Sequence, residues 1–336
     1  AIFFVMGMVL LRHPQALRSC FRTFFYASLG AVLYQYGAFI VTRSSAHFYS
    51  HSYGMFYAVA AYFLIAKIFA APPGARRWLC GVGLVLFTGA IFIGRARGSV
   101  IGFLVGLIPL FLVLRPREQF QVTFGVVLPG AVLMVLLFLL PARQRVEGDQ
   151  QWDLGERRLE VFTRMGDKDY DPTGSYRLDM WRRAFAGFLD APVFGKGYGW
   201  RIYVKRDYNE EAPAAVIHNS YLHTLVCGGI FGAIPLALLV GGCLLELGRR
   251  WRRAEPGLPR LLAAACFSTA FNFFLMAVTN VGFEIVVPAT MGWVLVAMAI
   301  QVSRLSAAEL AVLVPYRRRA ALSSGGRSAL RRQVAA

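Results

Sequence analysis

The sequence predicts an all-α polytopic membrane protein. Three observations carry this: a succession of apolar runs long enough to cross a bilayer, a partition of arginine between alternate connections, and one long polar gap. A membrane-spanning helix needs roughly 20 mostly apolar residues. The 336-residue chain is 57% hydrophobic with a mean hydropathy of +0.52, far from the polar surface a soluble chain of this length carries.

The apolar runs are Ala1–Leu11, Phe24–Val41, Met55–Ala71, Trp78–Ile93, Ser99–Leu114, Phe120–Leu140, Ile217–Leu247, Pro259–Thr279 and Phe283–Ser303, about nine spans with the first partial. Ala1–Leu11 is too short to span and has neither a charged leader nor a small-residue cleavage site. It reads as the tail of a helix that begins before the sequence, so the chain is expected to be a piece of a longer protein. The organisation that follows is N-terminal membrane helices over 1–140, an extramembrane loop over 141–216, C-terminal membrane helices over 217–303 and a basic cytoplasmic tail over 304–336.

Arginine orients these spans. Arg12, Arg18 and Arg22, then Arg76 and Arg77, then Arg115 and Arg117, then Arg249, Arg250, Arg252, Arg253 and Arg260 fall on alternate connections, together with the tail. The bias of Lys and Arg toward cytoplasmic loops puts that side in the cytoplasm and residues 141–216 on the opposite side. The 141–216 loop holds 13 basic and 13 acidic residues, so the net charge of +18 comes from the rest of the chain. Topology and anionic lipid account for it. No basic stripe with interleaved aromatics calls for a nucleic-acid partner. The five cysteines form no CxxC pair and none lies in the loop, so neither a disulfide framework nor a metal site is expected.

Within the loop, Gly155–Arg164 and Ser175–Leu189 read as helices. The second is introduced by the turn Asp171-Pro172-Thr173-Gly174, with Ser175 as N-cap and Tyr176, Met180, Ala184 and Leu189 at helical spacing. It ends in a stretch containing Gly195, Gly197 and Gly199, where the backbone can approach a ligand closely.

Three clusters carry candidate chemistry. Arg95 and Arg97, in a short turn before Ser99, break the charge pattern. They read either as snorkelling interfacial residues or as an anion site, since guanidinium grips phosphate in a planar fork. Ser99 would add a hydroxyl at a helix start. His218-Asn219-Ser220-Tyr221 lies where the loop re-enters the membrane. A histidine there is either structural or a base suited to neutral pH. Gly228, Gly229 and Gly232 follow, as expected of a closely packed helix. Arg177, near Arg182 and Arg183, is either salt-bridged or part of the anion site. Tyr198, Trp200, Tyr203 and Tyr208 read equally as sugar-stacking or interfacial aromatics.

Taken in order, these segments resemble the bacterial O-antigen ligase and polymerase superfamily. Arg97-Gly98-Ser99 is similar to an S-R-G-A turn, with Ala96 a departure from it. Arg177, Trp181 and Ala184, followed by Pro192, Gly195 and Gly197, resemble an R-x3-W-x2-A then P-x-x-G-x-G loop. His218-Asn219, nine residues, then Gly229-Ile230-Phe231-Gly232 is similar to the H-N-x9-G-x-x-G signature of lipopolysaccharide O-antigen ligases. His51-Ser52-Tyr53-Gly54 is similar to a further stretch of ligase-like members.

The resemblance implies a GT-C-like fold of about 12 membrane helices in the full chain with one large helical periplasmic loop. It implies an inner-membrane glycosyltransferase that moves a glycan from undecaprenyl diphosphate to lipid A–core oligosaccharide on the periplasmic side. The expected reaction is inverting and needs no metal or cofactor. The expected catalytic residues are His218 as base and Arg97 and Arg177 on the diphosphate. Arg95, Ser99, Asn219, Tyr221 and Tyr198 are expected to bind substrate. An O-antigen polymerase and a protein O-oligosaccharyltransferase remain open within the superfamily. So does a lipid-linked sugar transporter, though a transporter calls for charges at mid-depth, and here they gather at the boundary.

Overall fold

Long apolar helices make up most of the computed structural model, which describes residues 2–42, 51–70, 74–93, 97–130, 132, 172–205, 211–214, 217–279, 283, 286–306 and 309–310. In chain order they are α1 (Ile2–Leu10), α2 (Pro14–Thr42), α3 (His51–Ala70), α4 (Ala75–Ile93), α5 (Arg97–Phe111), α6 (Pro116–Val122), α7 (Pro172–Asp190), α8 (Ser220–Arg253), α9 (Leu258–Thr279) and α10 (Val286–Arg304). Between α7 and α8 a two-stranded antiparallel ribbon pairs β1 (Ile202–Lys205) with β2 (Glu211–Ala214), Ile202 facing Ala214 and Lys205 facing Glu211.

Four helices among the described residues are long and apolar enough to cross a membrane: Pro14–Val41, Tyr53–Ala70, Ser220–Arg253 and Leu258–Thr279. Arg77–Ile93 and Gly98–Phe111 are shorter apolar helices beside them. The protein is an all-α polytopic membrane protein, with the ribbon as a small addition.

The sequence reading needs three adjustments. α2 begins at Pro14 rather than near Phe24, so Arg18 and Arg22 lie on the helix and not in a loop. Proline suits a first helical turn, where its missing N–H has no partner in any case. The same physics starts α7 at Pro172, so residues 172–175 are helical and not a separate turn capped by Ser175. The α6 stretch passes into a π-helical turn at Thr123–Val127 and its described part ends at residue 132. The expected helix at Gly155–Arg164 lies outside the described residues.

In lipid, burying apolar surface between helices has little driving force, so close backbone approach and interhelical hydrogen bonds do the joining. α9 is the central helix. Of its most apolar window 78% is buried, against 11% for α8. Ala263, Ala264, Ala265, Cys266, Ser268, Thr269 and Ala270 keep it slender, and it packs on α3, α5, α8 and α10. α5 presents Gly102 to Asn272 and Met276 of α9, and Gly106 to the Tyr62 ring of α3. The Tyr62 hydroxyl lies 3.1 and 3.0 Å from the Gly102 and Phe103 carbonyl oxygens. Tyr57 donates to Gln35 Oε1 at 2.8 Å, joining α3 to α2.

Where α5 ends, Gln119 Nε2 donates to the Phe111 and Leu114 carbonyls at 2.7 and 3.0 Å, satisfying acceptors the helix leaves open. Outside the bundle, Met180, Ala184, Ile202, Ile217, Val226 and Cys227 form a second small core. It fastens α7 and β1 to the first turns of α8.

Candidate active site

The site grows from one junction, the entry to α8. Ile217 is buried in the small core, and its carbonyl accepts a hydrogen bond from Trp181 Nε1 at 3.0 Å. Asn219 is the N-cap of α8, its Oδ1 accepting the Leu222 N–H at 3.0 Å, as short polar caps do. His218 stands between these two anchored residues and takes up the change of direction. Its φ is +55°, the only positive φ at a non-glycine residue among those described. For such a residue this conformation costs on the order of 1–2 kcal/mol, and such strain concentrates at functional sites.

Ser220 fixes the next contact. It is fully buried, and its Oγ accepts the Phe283 N–H at 3.1 Å. Tyr221 donates to the Phe274 carbonyl of α9 at 2.9 Å and meets the Phe283 ring edge-on. The Tyr221 hydroxyl is therefore committed to the α8–α9 joint. Asn219 and Tyr221 also line the upper end of an open groove of about 630 Å³ along α8, which continues past Leu225 and Leu236 to Val240.

Arg177 reaches this junction from α7. Its Nη1 donates to the Thr279 carbonyl at the end of α9, 3.3 Å away, where a helix terminus carries partial negative charge. Its guanidinium is close enough to act electrostatically on His218. Burial first and this positive charge second lower the His218 pKa from its usual 6.5. Nδ1 of His218 is buried with no hydrogen-bond partner among the described residues.

Of the remaining expected site residues, Arg97 and Ser99 belong to α5 and Tyr198 to the loop after α7. Arg97 is the first residue of α5, and Arg95 lies outside the described residues. Ser99 is 1% exposed and packs against Gly54 of α3, so it serves the α3–α5 contact. Tyr198 is 73% exposed with its ring centroid 6.2 Å from that of His223. Trp200 packs on Gly187 and takes the Lys196 ammonium over its ring.

Residues 82–237 match the family model described as O-Antigen ligase. This segment belongs to the O-antigen ligase and polymerase superfamily. No curated protein matches the chain. The O-antigen ligase segment runs from within α4 into α8, and so includes Arg97, Arg177 and His218.

Two of the glycines singled out in the sequence, Gly195 and Gly229, meet each other. Gly195 and Gly229, both at positive φ, interlock backbone to backbone, and a Cβ on either would strike the other's chain segment. α8 is broken at Gly229. The loop after α7 fills the break: Lys196 N donates to Val226 O at 2.8 Å and Gly197 N to Cys227 O at 2.9 Å. In return Ile230 N donates to Pro192 O at 2.9 Å and Phe231 N to Val193 O at 3.2 Å. A break in a membrane helix strands polar backbone groups, which must then be satisfied within the protein. The close approach expected for a ligand at Gly195 is made by α8, and Gly229 breaks the helix instead of packing it. The signal was the recurrence of a glycine pair in both segments, 195/197 and 228/229.

Proposed function

We propose that this protein transfers a glycan from an undecaprenyl diphosphate carrier to a sugar hydroxyl of lipid A–core oligosaccharide, on the periplasmic face of a bacterial inner membrane. The observation that carries this reading is Arg177 within electrostatic reach of a strained, half-buried His218 inside the family-matched segment. A histidine with a lowered pKa is neutral at pH 7 and ready to accept a proton.

His218 takes the proton of the acceptor hydroxyl as its oxygen attacks the anomeric carbon. The bond from that carbon to the diphosphate oxygen breaks, and the diphosphate leaves with the electron pair. Attack from the opposite side inverts the anomeric centre. Arg177, and Arg97 at the head of α5, stabilise the departing negative charge, which matters most where water is scarce. Base catalysis of this kind contributes about 10²–10⁴-fold. The groove along α8 begins beside His218 and lies on a helix that is mostly unburied by protein. It suits the polyprenyl tail of the donor.

The test is transfer in vitro with full-length protein, undecaprenyl diphosphate-linked glycan, lipid A–core and EDTA. Glycosylated lipid A–core from the wild type and none from Arg177→Ala or His218→Ala supports the reading. Longer donor-linked chains in place of that product would move the protein to a polymerase. Full activity in both variants would remove them from the site.

A further inference from the structure

A second cavity, of about 610 Å³, lies at the Arg-rich end of the bundle, between the last turn of α8, the first turn of α9 and the end of α10. We propose that it binds the phosphate headgroup of an anionic phospholipid, independently of the site around His218. The two places are at opposite ends of α8, separated by the break at Gly229 and by residues 230–253, which at 1.5 Å per residue extend about 36 Å.

The cavity lining combines basic and apolar side chains, with Glu246 and Glu255 as its carboxylates. Arg249, Arg250 and Arg253 line it from α8, and Leu262, Val302 and Leu305 from α9 and the end of α10. Arg250 is engaged by Glu246, with Nη2 to Oε1 at 2.6 Å. Among the described residues, Arg249 and Arg253 make no ion pair with a carboxylate, and both are exposed. The carboxylate of Glu309 is taken by the N–H and hydroxyl of Ser306, each at 2.8 Å. Two guanidinium groups therefore face the cavity with their donors open, and guanidinium matches the oxygens of a phosphodiester.

The apolar side chains of the lining make a lipid the better fit than a soluble phosphate. A phosphodiester on Arg249 and Arg253 places a glycerol backbone and the upper part of an acyl chain against Leu262, Val302 and Leu305. Basic pockets between membrane helices commonly hold anionic headgroups in this way. A choline headgroup brings a cation toward the same arginines and is disfavoured.

The experiment is native mass spectrometry of the full chain released from detergent, after addition of phosphatidylglycerol, phosphatidylcholine or inorganic phosphate. The expected result is a retained phosphatidylglycerol adduct, little adduct with phosphatidylcholine and none with phosphate. In Arg249→Gln/Arg253→Gln the phosphatidylglycerol affinity falls roughly fivefold per arginine, while Arg117→Gln binds as the wild type does. Equal retention of phosphatidylglycerol and phosphatidylcholine overturns the proposal, as does an unchanged adduct in the double variant. A phosphate adduct retained as well as the phosphatidylglycerol adduct overturns the lipid assignment. Should the double variant fail to purify, the headgroup comparison on the unaltered protein decides alone.

Discussion

His218 joins three properties that seldom coincide by accident: a positive φ, a buried nitrogen without a partner among the described residues and a lowered pKa. A merely structural histidine would spend its ring on a hydrogen bond and sit in an ordinary backbone region. Asparagine tolerates the left-handed region well, so His218→Asn separates the two roles. Its thermal stability in detergent is expected to match the wild type or exceed it slightly, while transfer falls by about 10²–10⁴-fold. A matching loss of stability would make His218 a structural residue. The pH profile follows from the same shift. On the proposed mechanism the neutral imidazole is the active form, so activity is expected to be lost as pH falls through a pKa below 6.5 and to be level above it. Arg177 contributes to that lowering, so Arg177→Met moves the acid limb upward as well as lowering the rate. Arg177→Lys keeps the charge and holds the limb close to its original place. An acid limb that stays put in Arg177→Met would show that the two groups do not communicate. The composition and motif of this junction were legible in the sequence, because a His-Asn pair at a loop–membrane boundary has few equivalents in the chain. Its strain was not, since it arises only when Ile217 and Asn219 are held from two sides. Nor were the commitments of Tyr221 and Ser99 to helix contacts, because a hydroxyl at a helix start looks the same whether it faces a ligand or a neighbouring helix.

At the scale of elements, the clasp between the loop after α7 and the break in α8 explains how a helix outside the bundle is held in register with a membrane helix. Four backbone hydrogen bonds cross it, and the small core around Met180 and Val226 closes beneath it. Gly195→Ala and Gly229→Ala each place a methyl group into opposing backbone at a positive φ. Backbone cannot yield as a side-chain tip can, so each is expected to cost more than about 2 kcal/mol, above the common range for single changes at tolerant sites. Transfer falls with it, because Arg177 rides on α7. Gly199→Ala meets nothing within 4 Å and is expected to melt within about 0.5 kcal/mol of the wild type. Melting curves by intrinsic fluorescence in detergent measure both, and a harmless Gly229→Ala would mean the break in α8 is not held by the loop. A related contact sets α5. A side chain at Gly106 collides with the Tyr62 ring, so Gly106→Val is expected to separate α5 from α3 and to lower the yield of folded protein in the membrane. Hydrophobic run length located α3, α4, α5, α8 and α9 to within a few residues. It misplaced the start of α2, because arginines near a helix end read as loop although their stems can lie along the helix and reach out of the membrane. The hairpin β1–β2 was missed because strands of four residues in a charged loop carry no periodic signal.

Across the whole molecule, one axis organises charge and chemistry. The part of α8 after its break, residues 230–253, is about 36 Å long at 1.5 Å per residue, enough to cross the roughly 30 Å hydrocarbon core. Its two ends therefore reach opposite aqueous faces. His218, Asn219, α7 and the β1–β2 ribbon stand at its start, and Arg249, Arg250, Arg252 and Arg253 crowd its last turns. The arginines also favour that terminus, since a helix C-terminus carries partial negative charge. The lysine–arginine rule assigns them to the cytoplasm, which puts the family-matched junction in the periplasm. This orientation is a prediction with a direct test. A cysteine at Tyr198, which is 73% exposed, is expected to react with a membrane-impermeant maleimide in intact cells whose outer membrane has been permeabilised. A cysteine at Glu255, in the exposed turn between α8 and α9, is expected to react only after the inner membrane is broken. The native cysteines are poor competitors, because Cys80, Cys227, Cys243 and Cys266 are buried and Cys20 is partly so. The reverse labelling pattern would put His218 in the cytoplasm, away from a periplasmic acceptor, and glycan transfer to lipid A–core on the periplasmic face would then be excluded whatever the chemistry of the site.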